Sequence, residues 1–337
     1  MIEIDGSIGG GQILRTSLSL SMITQKPFKI INIRKNRSNP GLQHQHLTAV
    51  NSAQKICNAV VKGNSLQSIA LEFTPNKIVP NNYQFDIGTA GSTTLVLQTL
   101  LPALIHASKE STITITGGTE NPMAPPSYDF KHLFLDQIRH LGIQTELEIL
   151  KHGYYPKGGG KLILKIKPLK EIKEINLTEA KKLEKIDVHI ESSTSLQKAK
   201  VSERIFEGFQ KHFKTNHLIQ EHLLYSESLS PGCYIHAHLH YEKAKPGVTI
   251  LGERNKKAEE VGKEAAIKLQ ELINSKAPVD EHTADQLLIY LAIKGSRKIL
   301  TNKITEHTLT NIKIIEKFLD VEFQVKGNLI IVSKTSF

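Results

Sequence analysis

Apolar residues along the chain gather into runs that each follow a short stretch of small or polar residues. Gly9-Gly10-Gly11-Gln12-Ile13-Leu14-Arg15 leads into an apolar run over 16–23, Gly88-Thr89-Ala90-Gly91-Ser92-Thr93-Thr94 into 95–105, and Glu281-His282-Thr283-Ala284-Asp285-Gln286 into 287–293. Each run has the length and apolar face of a buried helix. Further helices are predicted over 42–57, 129–141 and 307–319. Between them lie alternating or β-branched stretches, such as Phe28-Lys29-Ile30-Ile31-Asn32-Ile33, Thr112-Ile113-Thr114-Ile115-Thr116 and Lys161-Leu162-Ile163-Leu164-Lys165-Ile166, which read as strands. Strands interleaved with helices imply a layered α/β fold.

Each lead-in carries one glutamine, and their spacing reveals a repeat. Gln12 and Gln98 are 86 residues apart, whereas Gln98 and Gln286 are 188 apart, about one hundred more than a second period. The spacing predicts a threefold repeated core interrupted by one insertion. The Lys-rich stretch before residue 185 and Ser275-Lys276-Ala277-Pro278 read as its borders, so the core is expected over 1–180 and 276–337 and a smaller α/β insertion over 181–275. The insertion's own pattern is strand, helix (201–213), strand (233–241), helix (259–273). The third unit's second helix follows its glutamine by about twenty residues rather than thirty, so that unit is expected to be trimmed.

Composition narrows the class. The 337 residues are 39% hydrophobic and 23% charged, as in a folded globular chain. The richest apolar run is broken by Gln98 and Pro102, which excludes a membrane-spanning helix there. Two distant cysteines, Cys57 and Cys233, exclude a disulfide scaffold and a cysteine zinc site. The start, Met1-Ile2-Glu3-Ile4-Asp5, lacks a basic segment followed by an apolar one, so a cytoplasmic location is expected.

The formal net charge of +10 matters through its placement: no carboxylate occurs from Gly6 to Leu71, a stretch holding Arg15, Lys26, Lys29, Arg34, Lys35, Arg37, Lys55 and Lys62. Arg34 and Arg37 crowd onto one loop and suit forked phosphate contacts, which points to a nucleotide or nucleic-acid partner. Gly9-Gly10-Gly11 at a helix start could present backbone amides to an anion, with Arg15 one turn further in; a tight turn without a ligand is the alternative. Gly158-Gly159-Gly160 reads as a turn before a strand. His44 and His46, flanking Gln45, sit where a cap or a phosphate contact is expected. His236, His238 and His240 share one strand face, but the outer two lie about 13 Å apart, and with no carboxylate evident nearby a metal site is not favoured. His307 lies where a polar strand end meets an amphipathic helix, a supported place for a nucleophile.

Seven ordered segments resemble the RNA 3'-terminal phosphate cyclase family along nearly the whole chain. They are Gly9–Arg15, Pro40-Gly41-Leu42-Gln43-His44-Gln45-His46-Leu47-Thr48-Ala49-Val50, Ala90–Thr99, Gly117-Gly118-Thr119-Glu120-Asn121-Pro122-Met123-Ala124-Pro125-Pro126, His152–Gly160, Ala284-Asp285-Gln286-Leu287 and His307-Thr308-Leu309-Thr310-Asn311. The resemblance implies three βαβαββ repeats, like the C-terminal domain of translation initiation factor three, plus an inserted α/β domain. It implies an ATP-dependent reaction on RNA carrying a 3'-phosphate, in which His307 takes AMP from ATP, passes it to the RNA phosphate, and the 2'-hydroxyl then closes a 2',3'-cyclic phosphodiester. It places Gln98, Pro125, Phe130, His282, Thr283, Ala284, Asp285 and Gln286 in the nucleotide pocket, with His282 offering a face to adenine. Arg15, Arg34, Arg37 and Gln45 would contact phosphates of ATP or the RNA end, and Asp285 is a candidate ligand for a divalent ion, Mg²⁺ or Mn²⁺.

Two departures stand out. Relatives usually read Asp-Gly-Ser-x-Gly-Glu-Gly-Gly-Gly-Gln, whereas Asp5-Gly6-Ser7-Ile8 here runs directly into Gly9-Gly10-Gly11-Gln12, so the glutamate that serves the family as a metal ligand is missing. Asp5, Glu3 or Asp285 would supply the charge, or ATP phosphates would hold the ion, or the enzyme would be slow. One extra residue precedes Phe130. Two other functions stay open: a non-catalytic RNA-processing factor of the same fold, and a small-molecule transferase on similar repeats, such as an enolpyruvyl transferase.

Overall fold

The computed structural model describes residues 1–174, 176–294 and 297–335. The chain opens with β1 (Ile2–Asp5), α1 (Gly11–Thr24), β2 (Phe28–Ile31), α2 (His44–Cys57), β3 (Val60–Lys62) and β4 (Leu71–Thr74), a βαβαββ unit. Its sheet order is β1-β2-β4-β3, with β1 and β2 parallel and the other pairs antiparallel. A parallel pair needs a crossover, which α1 provides. The second unit repeats the plan with β5 (Asn82–Asp86), α3 (Thr93–Leu104), β6 (Ser111–Gly117), a helical stretch, β7 (Thr145–Lys151) and β8 (Gly160–Ile166), in the order β5-β6-β8-β7. That helical stretch comprises α4 (Ser127–Asp129), a π-helical segment (Phe130–Leu135) and α5 (Asp136–His140).

The third unit begins with β9 (Asn176–Leu177) and is then interrupted. The interruption comprises β10 (Leu183–Ser193), α6 (Val201–His212), β11 (Ile219–Ser226), β12 (Cys233–Tyr241), β13 (Gly247–Leu251) and α7 (Ala258–Ser275), with its own sheet ordered β11-β10-β12-β13. The third unit resumes with α8 (Glu281–Lys294), β14 (Arg297–Leu300), α9 (Glu306–Phe318), β15 (Val321–Lys326) and β16 (Leu329–Lys334), in the order β15-β16-β14-β9. It therefore keeps both helices and all four strands. Its short spacing comes from a four-residue β14 and tight connections rather than from a lost element. Among the described residues no helix is long and apolar enough to cross a membrane.

One hydrophobic cluster runs from Ile4 to Val332 through all three units, joining residues such as Leu14, Leu97, Leu162, Leu288 and Ile315. A second cluster, from Ile186 to Leu272, fills the space between the interrupting sheet and α6 and α7. Burial of this apolar surface is the main driving force for both. Three helix starts, those of α3, α9 and α8, carry polar caps. The Ser92 hydroxyl accepts from the Leu95 amide at 3.3 Å, Thr305 from Thr308 at 3.1 Å, and Asp280 Oδ1 from the amides of His282 and Thr283 at 3.1 and 2.9 Å.

A buried ionic network joins the two bodies of structure. His152, after β7, lies 3.0 Å from Glu120 Oε1 through Nδ1 and 3.0 Å from Glu191 Oε2 of β10 through Nε2. The Tyr234 hydroxyl donates to the same Glu191 oxygen at 3.1 Å. Burial opposes charge on His152, but its bonds to Glu120 and Glu191 and their negative charge prevail and raise it to about 10. Burial likewise raises Glu191, yet hydrogen bonds from His152 and His189, with the His152 charge, bring it well below the ordinary carboxylate range. His152 therefore contributes stability that is complete below its unfolded value and lost as pH rises through about 10. Glu191 contributes stability that is complete above the ordinary carboxylate range and lost as pH falls through its lowered value. Chemical denaturation should show a broad plateau around neutrality with losses on both sides. His152→Gln, which leaves two buried carboxylates without a cation, should cost about 3–5 kcal/mol; an unchanged unfolding midpoint would contradict this account.

Candidate active site

Three helix N-termini from distant parts of the chain meet at one carboxylate. Asp285, in the first turns of α8, receives Gln12 Nε2 of α1 at 2.8 and 2.9 Å on its two oxygens. Asn311 Nδ2 of α9 donates to Oδ1 and to the Asp285 carbonyl, both at 3.2 Å. The Thr16 hydroxyl donates to Asn311 Oδ1 at 2.7 Å and fixes that amide. His307 and Asn311 are four residues apart on α9, so they share a face. His307 Nδ1 lies 3.2 Å from Asp285 Oδ2. A carboxylate there accepts a hydrogen bond from Nδ1–H, which orients the ring and leaves a lone pair on Nε2. The His307 side chain is 49% exposed, so this nitrogen sits on an accessible surface rather than in the core.

Beside this pair opens a cleft whose walls include Gln12, Arg15, Gln98, Asp285, Gln286 and Tyr290. Buried polar atoms in it are without protein partners: Gln12 Oε1, Gln98 Nε2, Gln286 Oε1 and the Tyr290 hydroxyl. Such atoms are costly unless a ligand or water meets them. Burial lowers Arg15 to about 10, against the pull of Asp285, so it remains a cation at neutral pH.

The glycine turn adjoins the same place. Gly9 and Gly10 have φ of 80° and 64°, conformations that favour glycine. A Cβ on Gly10 would lie 3.1 Å from Arg37 Nη2, and one on Gly11 would lie 2.3 Å from His46 Nε2 and 3.0 Å from Arg15 Nη1. Two guanidinium groups and an imidazole thus surround the first amides of α1. Burial, then the charges of Arg15 and Arg34, lower His46 to about 3, so its ring is neutral. Its Nδ1 accepts from the Gln43 amide at 3.3 Å, which puts its proton on Nε2, toward the turn.

The fold brings His307, Asp285, Gln286, Gln98 and Arg15 together, with Arg37 beside the glycine turn. Pro125 is half-buried and its carbonyl accepts from Thr94 at 2.6 Å, and His282 is exposed at the start of α8. The other expected site residues lie in supporting positions. Phe130 is fully buried and packs on Phe134 at 5.1 Å, behind the part of the cleft wall that Phe134 lines. Thr283 and Ala284 point into the core from the inner face of α8, so neither side chain is placed to touch a ligand. Arg34 Nη1 donates to the carbonyls of Asn39 and Gly41 at 2.6 and 2.9 Å and staples its own loop. Gln45 Oε1 accepts from the Ser92 amide at 2.9 Å, tying α2 to the start of α3. Both Asp285 oxygens accept from side chains, and Oδ2 lies 3.2 Å from His307 Nδ1. Glu3 is no substitute for the missing glutamate: its carbonyl meets Lys317 at 3.4 Å, at the end of α9 opposite His307. Gln12, Asn311 and His46 emerge as site residues. The four-residue spacing of His307 and Asn311, and the glutamine in each lead-in, were the signals for the first two.

Eight basic residues of the carboxylate-free stretch also divide by role. Lys29 and Lys62 pair with Glu72 at 3.6 and 3.3 Å, and Lys26 donates to the Phe318 carbonyl at 2.8 Å. Among the described residues lining the cleft the positive charge is Arg15, and Arg37 lies beside the glycine turn.

Comparison with known proteins places this architecture in a class. The model of the RNA 3'-terminal phosphate cyclase family matches residues 7–325. The RNA 3'-terminal phosphate cyclase of Pyrococcus furiosus is 42% identical over 332 residues, covering 98% of this chain and 96% of its own length. That of Ectopseudomonas mendocina is 40% identical over 324 residues, covering 95% and 93%, and that of Staphylothermus marinus is 41% identical over 341, covering 97% and 95%. The chain belongs to the RNA 3'-terminal phosphate cyclase family.

The Asp285 contact generates a test. Asp285→Asn replaces the anionic acceptor of the His307 Nδ1 proton with a neutral amide and should slow any reaction at Nε2 by about 10²- to 10⁴-fold while leaving the melting temperature within a few degrees. Single-turnover kinetics within threefold of the parent chain would contradict the orienting role.

Proposed function

We propose that the chain converts an RNA 3'-terminal phosphate to a 2',3'-cyclic phosphodiester at the expense of ATP, through a nucleotide carried on His307. The observation that carries this reading is the Asp285–His307 pair, on a helix whose Thr310 packs against Gly9 of the cationic glycine turn. The Nε2 lone pair attacks the α-phosphorus of ATP, the bond to the β-phosphate oxygen breaks, and pyrophosphate leaves. Asp285 stabilises the imidazolium that forms by holding its Nδ1 proton. An oxygen of the RNA 3'-phosphate then attacks the same phosphorus and breaks the N–P bond, freeing His307. Finally the 2'-hydroxyl oxygen attacks the activated 3'-phosphorus, loses its proton to solvent, and AMP departs. Dividing one difficult condensation into three displacements is the gain from covalent catalysis.

The residues present suit ATP. Gln98 Nε2 and Gln286 Oε1 are buried polar atoms awaiting partners, Arg15 offers charge to the phosphates, and exposed His282 offers a ring face to adenine. Arg37, the neutral His46 Nε2–H and the first amides of α1 are suited to the phosphate of the RNA end. Arg34 and Gln45 act here by shaping the loop and the α2–α3 contact. The residues do not make a cage for a divalent ion: Asp285 is the sole carboxylate among the described residues lining the cleft, and it is already engaged. Mg²⁺ or Mn²⁺ would arrive with the triphosphate, and no step above is drawn through it. Free Cys57 and Cys233 suit a reducing cytoplasm.

Full-length protein given ATP labelled at the α-phosphorus should release pyrophosphate and retain acid-labile label, and His307→Ala should retain none. Label that persists in His307→Ala, or none on the parent chain, would overturn the covalent route. An oligonucleotide ending in a 3'-phosphate should bind more tightly than its 3'-hydroxyl counterpart, and more weakly as salt rises; equal affinity for both ends would contradict the proposed grip on the terminal phosphate.

A further inference from the structure

A second concentration of titratable side chains lies away from the cleft, on the sheet of the interrupting segment. His236, His238 and His240 alternate on β12 and share a face. The strand offers no carboxylate of its own, which is why the sequence disfavoured a metal there. Antiparallel pairing with β10 supplies one, because Asp187 sits directly opposite His238. Asp187 Oδ2 lies 2.5 Å from His240 Nε2 and 3.6 Å from His238 Nε2. One ligand atom from each of the three residues lies within 4.8 Å of the other two.

The residues behind His238 prepare it as a ligand. His236 Nε2 is 3.0 Å from His238 Nδ1, and His236 Nδ1 meets Asp129 and, at 2.8 Å, the Thr249 hydroxyl. With Asp129 accepting from His236 Nδ1, His236 Nε2 accepts from His238 Nδ1, and His238 Nε2 is left with a bare lone pair. That lone pair faces the Asp187 carboxylate at 3.6 Å, too far for a hydrogen bond between them and complementary to a cation. A carboxylate behind a ligating histidine is the usual device for fixing its tautomer.

We propose that Asp187, His238 and His240 bind one divalent transition-metal ion of the zinc class, with its fourth position open to water. Two imidazoles and one carboxylate favour zinc, cobalt or nickel over magnesium or calcium. Bonds of about 2.0–2.2 Å would set adjacent ligand atoms about 3.3 Å apart. His240 Nε2 must therefore draw back from Asp187, and the proton it now donates is exchanged through solvent onto Nδ1. His238 needs little movement. The side chains of Asp187 and His240 are each 17% exposed, which gives the ion a path in.

Lys185 is the chief competitor. Its ammonium lies 3.1 Å from Asp187 Oδ1 and 2.9 Å from Gln220 Oε1. The other nearby cation, Lys245, is held by Asp136 at 2.7 Å, and the His132 ring packs on Tyr128 at 4.2 Å. Asp129 belongs to α4 of the second repeat, so the bonds behind His238 cross from the interrupting segment to the repeats. A bound ion would stiffen that seam.

Untagged full-length protein, stripped with a chelator and titrated with Co²⁺ in the absence of nucleotide, should bind one equivalent with the visible absorption of a tetrahedral site. Zn²⁺ should displace it and raise the melting temperature. Asp187→Asn and His240→Ala should each weaken binding at least about tenfold, while Asp285→Asn and His307→Ala leave it intact. Lys185→Gln, which removes the competing ammonium and spares every ligand, should tighten it. The proposal is overturned if no stoichiometric binding occurs, if binding follows Asp285 or His307 instead, or if Lys185→Gln and His240→Ala both leave the affinity unchanged.

Discussion

The site depends on one carboxylate that gathers three helices. Asp285 accepts from Gln12 of the first repeat and from Asn311 and His307 of the third. Each donor satisfies a buried or half-buried oxygen and each is held by its own helix, so the carboxylate is oriented before any substrate arrives. A hydrogen bond to a charged acceptor is about twice as strong as a neutral one. Here that strength is used to fix an imidazole in one tautomer. The first and third repeats need to touch for this to happen, and α1 packs directly on α9.

Threefold repetition explains how such distant residues meet. Caps at Ser92 and Asp280 set the starts of the first helices of the second and third repeats, and the cap at Thr305 sets the start of α9. The interruption falls between β9 and α8 and leaves every strand pair of the third repeat's sheet intact. Its last helix, α7, ends at Ser275, just before the Asp280 cap that begins α8. His152, Glu120 and Glu191 then lock the added structure to the second repeat. A buried charge triad is a weak source of net stability but a strong penalty against undocking, because separation leaves charges without partners.

Much of this was legible in the amino-acid pattern. The 86-residue spacing of Gln12 and Gln98 exposed the repeat, and the excess spacing to Gln286 exposed the interruption. His307 was legible at a helix start, and Gly158 and Gly159 do form a positive-φ turn before β8. What the pattern concealed were contacts between residues far apart in the chain. The sequence offered Asp285 as a metal ligand and could not show its hydrogen-bond donors, Gln12 and Asn311, which lie 273 and 26 residues away. Thr283, Ala284 and Phe130 sit within motifs that serve the site, but their own faces point inward, and a motif does not distinguish the residue that touches from the residue that supports. Asp187 escaped notice for the same reason: only strand pairing sets it opposite His238.

The position of one proton tests the central claim most directly. In nitrogen-15 spectra of the full-length chain without nucleotide, the His307 ring, identified by its loss in His307→Gln, should in its neutral form carry its proton on Nδ1 and an unprotonated Nε2. A proton on Nε2, with the lone pair turned toward Asp285, would contradict the account.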